Sequence, residues 1–231
     1  WGEMRELNTA MGLGASVINA YPLLHTSAVY EGHLRDLPQK RPIILTRSAY
    51  AGQQRNAAIT WSGDIHGTWD VLRRQIPAGL NFSLSGIPYW NADIGGFFGQ
   101  AASDPGYAEL YTRWYQFATF TPMMRSHGSY GTDRPGKEIW QFDAAIQKIL
   151  LTYTQLRYQL LPYIYSTSWN VSNRSGTMMR PLVMDFPADA LVRNISDQYS
   201  FGNGLMVAPV TQPKAQVRTV YLPARPIWYD F

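Results

Sequence analysis

The chain has no cysteine among its 231 residues. That excludes a disulfide framework, a thiolate zinc site and a cysteine nucleophile, and it leaves the redox compartment undecided. Charge is scarce too. Asp, Glu, Lys and Arg make up 16% of the chain, against about 25% in an average globular protein. The net charge of +4 comes from scattered Lys and Arg, with no basic run. A pI of about 9.3 is then weak evidence for nucleic acid, and no such partner is expected. No apolar run approaches the ~18 residues of a membrane span, so no membrane partner is expected either. The opening Trp1-Gly2-Glu3-Met4-Arg5 shows no signal-peptide pattern and no initiator Met.

Several catalytic classes fail for want of a motif. There is no His-x-x-x-His or Glu-x-x-x-His pair. Asp64, His66, Asp93 and His127 make a poor ligand set, so neither a metal nor any other cofactor is expected. A Gly-x-Ser-x-Gly elbow is missing. Asp93-Ile94-Gly95-Gly96 is followed by aromatics and has no Lys for a phosphate loop.

What the chain has in excess is aromatic surface: 14% of residues, including 8 Trp and 15 Tyr. Flat rings stack on pyranose faces, so this suits a sugar cleft. It suits equally a piece of a larger, well-buried body. Apolar residues at 45% are enough for a sizeable core.

Along the chain, residues 4–34 have helical apolar spacing through Val17, Tyr21, Leu24, Ala28 and Val29. Residues 41–48 read as a short buried strand. Residues 56–61 read as a second strand, after which Gly63 lets the backbone turn and leaves Asp64 at the carboxyl end. A helix is predicted over 68–80, with Trp69, Leu72, Ile76 and Leu80 on one face. Residues 82–90 lead into a third strand ending at Asp93. A helix over 107–116 precedes a fourth strand over 117–124, which ends at Arg125-Ser126-His127. Strands alternating with helices imply parallel βα units. Beyond these, 143–165 reads as a long amphipathic helix kinked at Pro162, with Gly176 ending the helical region. Residues 205–210 and 218–222 read as strands of a separate antiparallel unit. The glycosylation-type triplet Asn81-Phe82-Ser83 falls in an expected buried strand, so it and its three counterparts read as chance.

In an α/β barrel the chemistry sits at the carboxyl ends of the strands. Arg47, then Trp61 and Asp64, then Asp93 with Phe97, then Arg125 and His127 all fall there. Each has a plainer alternative. Asp64 could be a turn or capping residue, and Arg47 could pair with a rim carboxylate. Asp93 could serve a turn, and a lone His such as His127 is more often structural. Convergence of several strand ends favours a site.

These residues carry a family likeness. Thr46-Arg47-Ser48, Ala51-Gly52-Gln53-Gln54-Arg55 and Trp61-Ser62-Gly63-Asp64 with Trp69 resemble blocks of glycoside hydrolase family 31. Asp93-Ile94-Gly95-Gly96-Phe97 and Phe120-Thr121-Pro122-Met123-Met124-Arg125-Ser126-His127 follow in the same order. Phe201-Gly202-Asn203-Gly204-Leu205-Met206-Val207-Ala208-Pro209-Val210 resembles the opening of that family's small β-sandwich. The resemblance implies an α/β fold: residues 1–180 as the second half of a (β/α)8 TIM barrel, strands 5–8 with closing helices, and residues 181–231 as the start of an antiparallel β-sandwich. It also implies a retaining α-glycosidase acting on an oligosaccharide. Asp64 falls on the general acid/base. Arg47, Trp61, Asp93 and His127 fall on the subsite for the non-reducing sugar, with Phe97 nearby. Asp64 would protonate the glycosidic oxygen and then activate water against a glycosyl-enzyme ester. Burial and a nearby carboxylate would be needed to keep it an acid near neutral pH.

The family's nucleophile is an Asp in a Trp-x-Asp-type block, and nothing ahead of Arg47 matches it. Trp1-Gly2-Glu3 lacks the strand that should precede such a block. The expectation is a chain that starts just after the nucleophile, with the N-terminal half of the same enzyme as partner. It should be inactive alone, because the retaining mechanism needs two carboxylates about 5–5.5 Å apart. Gln53-Gln54-Arg55, and residues 76–81 leading to Pro88-Tyr89-Trp90, look most like the α-xylosidase branch acting on xyloglucan fragments. An α-glucosidase is the alternative, and a non-catalytic carbohydrate-binding remnant is the alternative of another class.

Overall fold

The computed structural model describes residues 2–129, 136–224 and 227–231, so Trp1 lies outside it. Residues 4–34 are not one helix. α1 (Gly2–Glu6) is followed by a tight ribbon of β1 (Asn8–Thr9) against β2 (Gly12–Leu13). Thr9 Oγ1 closes that turn by donating to Gly12 O (2.7 Å). α2 (Gly14–Val17) and a 3-10 turn then lead into α3 (Tyr21–Asp36). Pro22 is tolerated at its start, where the first N–H groups need no helical partner.

β3 (Ile44–Thr46), β4 (Ala58–Trp61) and β5 (Trp90–Asn91) form a parallel sheet in that order. Leu45 stands opposite Ile59, and Trp61 opposite Asn91. Between β3 and β4, Gln53 is fully buried and donates to Thr60 Oγ1 (3.2 Å), while Asn56 Nδ2 reaches Thr26 Oγ1 (3.0 Å) on α3. α4 (Trp69–Leu84) makes the crossover from β4 to β5. Thr68 caps it by accepting from Val71 N (3.2 Å), and Leu72, Ile76 and Leu80 are buried as their spacing predicts.

Two expected strand segments are helical instead. α4 continues past residue 80 because Ser83 stays on the buried face, where its hydroxyl accepts from Thr177 (3.0 Å). The chain turns only at Gly86, with a left-handed φ of 78°. The triplet Asn81-Phe82-Ser83 is therefore helical rather than part of a buried strand. α5 (Pro105–Thr119), capped by Asp104, overruns the start of the fourth expected strand. Tyr111, Trp114, Tyr115 and Ala118 recur at helical spacing on its buried face, which holds 117–119 in the helix. Residues 121–129 then pass β5 with Ile94 N–H donating to Arg125 O (3.2 Å), but form no ladder. Among the described residues the parallel sheet has three strands, not four.

The expected long helix over 143–165 is divided into α6 (Ala144–Gln159) and α7 (Leu161–Arg174). Pro162 cannot continue the α6 bonding and sits in the first turn of α7. Arg157 ties α6 to the loop after α5 by donating to Thr119 O (2.8 Å), Thr121 O (2.6 Å) and Pro122 O (3.2 Å). β6 (Met179–Pro181), followed by α8 (Leu182–Asp185), pairs antiparallel with β7 (Tyr199–Phe201), and β7 with β8 (Leu205–Val207). Residues 218–222 form no strand. The Gln198 side chain substitutes for a ladder, accepting from Tyr221 N–H (2.9 Å) and donating to Tyr221 O (3.0 Å). Tyr111, Trp114, Leu150, Met178, Tyr199 and Phe201 join the helices and the antiparallel sheet in one core. Among the described residues β3 has a neighbour on one side only. Tyr21 and Leu24 on α3, and Tyr165 and Trp169 on α7, are exposed. No helix among the described residues is long and apolar enough to cross a membrane.

Candidate active site

β4 ends at Trp61, and two residues later Gly63 takes a φ of 74°, the left-handed turn that glycine permits. A Cβ at Gly63 would lie 2.8 Å from Arg47 Nε. Glycine thus lets Arg47, one residue past β3, lie across the turn. Its Nη1 reaches Asp64 Oδ2 at 3.3 Å. Asp64 caps no helix, since Thr68 does that for α4. The rim pairing considered for Arg47 does occur, and its partner is Asp64 itself. Asp64 is 33% exposed and faces a cation.

Asp93 stands two residues past β5 and its side chain is wholly buried. Its backbone does serve a turn, because Gly96 N donates to Asp93 O (2.9 Å). Its carboxylate does something else. Oδ1 accepts from Arg125 Nη1 (2.9 Å), and the same guanidinium lies 5.6 Å from the Trp61 ring centroid. Arg125 therefore holds Asp93 and Trp61 on one wall. Asp93 Oδ2 and Trp61 Nε1 are buried with no hydrogen-bond partner among the described residues. Leaving such a group unpaired costs roughly 1–3 kcal/mol, so each would gain from a hydrogen-bonding partner. Burial pushes the Asp93 carboxyl above the ordinary aspartate value. Arg125, His127 and Lys137 oppose that shift, and Asp64 adds to it. The strand-end groups therefore act on one another electrostatically.

Phe97 and His127 meet with ring centroids 5.4 Å apart. Ser129 N–H donates to Phe97 O (2.9 Å), which fastens the loop after β5 to the segment carrying His127. The six residues predicted from sequence thus fall into three contacting groups: Arg47 with Asp64, Trp61 with Asp93 through Arg125, and Phe97 with His127. Two contributors were not assigned a role from sequence. Arg125 was visible only as a cation at a strand end. Lys137 lies outside every motif, yet its Nζ donates to Ile94 O (2.9 Å) and Gly96 O. Among the described residues, no group of three or more His, Asp or Glu is placed to hold a metal ion.

A parallel sheet with ionisable groups gathered at its carboxyl ends is the arrangement of an α/β-barrel enzyme. Residues 3–167 match the glycosyl hydrolases family 31 TIM-barrel domain, and residues 175–231 match the family 31 C-terminal domain. The chain belongs to glycosyl hydrolase family 31. It is 50% identical to an α-xylosidase of Saccharolobus solfataricus over 228 residues, covering 99% of this chain and 30% of that protein. It is 38% identical to human neutral α-glucosidase C over 215 residues, covering 92% of this chain and 23% of that protein. The crystal structure of a family 31 α-xylosidase from Xanthomonas citri superposes with a TM-score of 0.87 at 45% identity, covering 94% of this chain and 24% of that one. A family 31 α-xylosidase from a soil metagenome, complexed with xylose, gives a TM-score of 0.88 at 36% identity, covering 96% of this chain and 35% of that one. The chain therefore spans about a third or less of these relatives.

Proposed function

We propose that this chain forms the acid/base side and the sugar-holding wall of a retaining α-glycosidase that acts on non-reducing terminal α-linked sugars. The observation that carries this reading is the meeting of Asp64–Arg47, Asp93–Arg125–Trp61 and Phe97–His127 at the carboxyl end of one parallel sheet. In this reading Asp64 gives a proton to the departing glycosidic oxygen, then takes one from the water that cleaves the glycosyl-enzyme ester. Asp93 Oδ2 accepts from a ring hydroxyl, with Arg47 and His127 bonding others. Trp61 and Phe97 supply apolar faces for the pyranose.

The nucleophilic carboxylate comes from outside these residues, in the N-terminal half of the same enzyme. The edge of β3, unpaired among the described residues, and the exposed apolar residues on α3 and α7 support a partner there. That second half would also exclude water from Asp64 and bring the nucleophilic carboxylate.

The substrate within this reading is a terminal α-xylosyl unit of xyloglucan-type oligosaccharides, supported by the higher identity to an α-xylosidase than to an α-glucosidase. A xyloside lacks the C6 hydroxymethyl group. A pocket closed over C5 therefore rejects glucose sterically, and one such group is worth about 10–200-fold. The full-length enzyme should show at least about tenfold higher kcat/KM on p-nitrophenyl α-xyloside than on the α-glucoside. A preference for the glucoside would make it an α-glucosidase. No hydrolysis of either, with sugar binding retained, would support the non-catalytic binding remnant.

A further inference from the structure

We propose that Lys137 is a positioning residue for the sugar-holding wall, pinning the turn that carries Asp93 to the segment that carries His127. The proposal rests on the glycosidase reading above. Lys137 is only 7% exposed, although an ammonium is costly to bury. Its Nζ donates to the carbonyls of Ile94 (2.9 Å) and Gly96, one and three residues after Asp93. Its stem runs between two glycines. A Cβ on Gly128 would lie 2.8 Å from Nζ, and a Cβ on Gly99 would lie 3.5 Å from Cδ. Gly128 directly follows His127, and Gly99 lies two residues after Phe97. One side chain is thus enclosed by the loops that present Asp93, Phe97 and His127. An apolar chain of the same length would fill the channel but leave two carbonyls without this donor. Lys137 acts through those three residues, not on the reacting atoms.

The charged groups around it are few. Burial lowers the Lys137 ammonium to about 8, Asp93 and Glu138 oppose that shift, and Arg125 adds to it. His127 acts on Asp93 from the facing segment. The nearby Tyr107 hydroxyl donates to Gly95 O (3.0 Å), and burial holds it above the ordinary tyrosine value. It therefore stays neutral in the range below.

The test uses Lys137→Met and Lys137→Arg in the full-length enzyme, with the better p-nitrophenyl glycoside as substrate. Binding of free xylose, or of glucose if the glucoside is preferred, is measured by calorimetry alongside thermal melts. A misplacement of ~1 Å costs about 10²-fold in rate. A folded Lys137→Met variant should lose about 30-fold in kcat/KM and bind the free sugar about tenfold more weakly, and Lys137→Arg should recover most of both. A folded Lys137→Met variant within twofold of wild type in both readouts overturns the proposal. If that variant does not fold, pH decides. Sugar binding by the wild type should weaken as pH rises through about 8, whereas Lys137→Arg should stay flat to about pH 9.5 because its guanidinium remains charged. Equal pH profiles for the two proteins would overturn it. A wild type that binds sugar but hydrolyses neither glycoside would refute the glycosidase reading while leaving the Lys137 comparison readable in binding.

Discussion

Asp64→Asn is expected to lower kcat/KM of the full-length enzyme by about 10²–10⁴-fold on glycosides with poor leaving groups, the usual contribution of a positioned acid/base. The loss should depend on the leaving group. An alkoxide needs a proton to depart, whereas p-nitrophenolate does not. Aryl substrates should therefore still form the glycosyl-enzyme and release a burst of p-nitrophenol before hydrolysis stalls. Azide should restore turnover, because it attacks without a general base. Stability should hardly change. The Arg47–Asp64 contact is 3.3 Å long with Arg47 59% and Asp64 33% exposed, and exposed pairs are worth about 0–1 kcal/mol. The measurement is steady-state kinetics over a leaving-group series, with and without azide, beside a thermal melt. A uniform loss across leaving groups, unrescued by azide, would remove Asp64 from the acid/base role.

Asp93→Asn should separate stability from function in the opposite environment. The Asp93 side chain is fully buried, and burial outweighs the cations around it, so its native carboxyl titrates above the ordinary aspartate value. For an acid, that direction means the folded state holds its proton more tightly than the unfolded chain. Its contribution to stability is present below the ordinary aspartate value and is lost as pH rises through the raised native one. At neutral pH the charge is thus a net burden on folding. The Asn variant, of nearly the same shape, should be at least as stable there and should lack that fall. Catalysis should move the other way. Oδ2 is an acceptor without a partner among the described residues, and losing a charged hydrogen bond to a sugar hydroxyl together with its alignment should cost about 10²–10³-fold in kcat/KM. Urea unfolding across pH, paired with kinetics, checks both halves. A variant that is destabilised at neutral pH but normally active would show that Asp93 is structural.

Much of this was legible because chemistry and backbone coincide at short range. Trp61-Ser62-Gly63-Asp64 carries both a strand end and the left-handed glycine that turns it, and the structure puts the turn there. The face of α4 was visible in Leu72, Ile76 and Leu80 for the same local reason. What was not legible depends on long-range partners. Residues 82–84 and 117–119 each open on a phenylalanine, a residue common in strands, but contacts with Thr177 and with the Tyr111–Trp114 core keep them helical. Residues 218–222 have strand composition, but the Gln198 amide takes the place of a pairing strand. In the site, Arg125 could be seen as a cation but not as the bridge between Asp93 and Trp61, which lie 32 residues apart in the sequence. Lys137 gave no signal, since its role consists of backbone carbonyls that no motif encodes. The Gln53-Gln54-Arg55 run, which resembles the xylosidase branch, places Gln53 against Thr60 beside the sheet, where it braces β4.

The central claim is that Asp64 works with a nucleophile lying outside these residues, and covalent trapping tests it most directly. A 5-fluoro-α-xylosyl fluoride should inactivate the full-length enzyme by forming a stable ester, which peptide mapping by mass spectrometry can locate. The label should fall on an aspartate outside the 231 residues of this chain, and Asp64 should be unmodified. A label on Asp64, on Asp93 or on any other carboxylate of the chain would contradict the account.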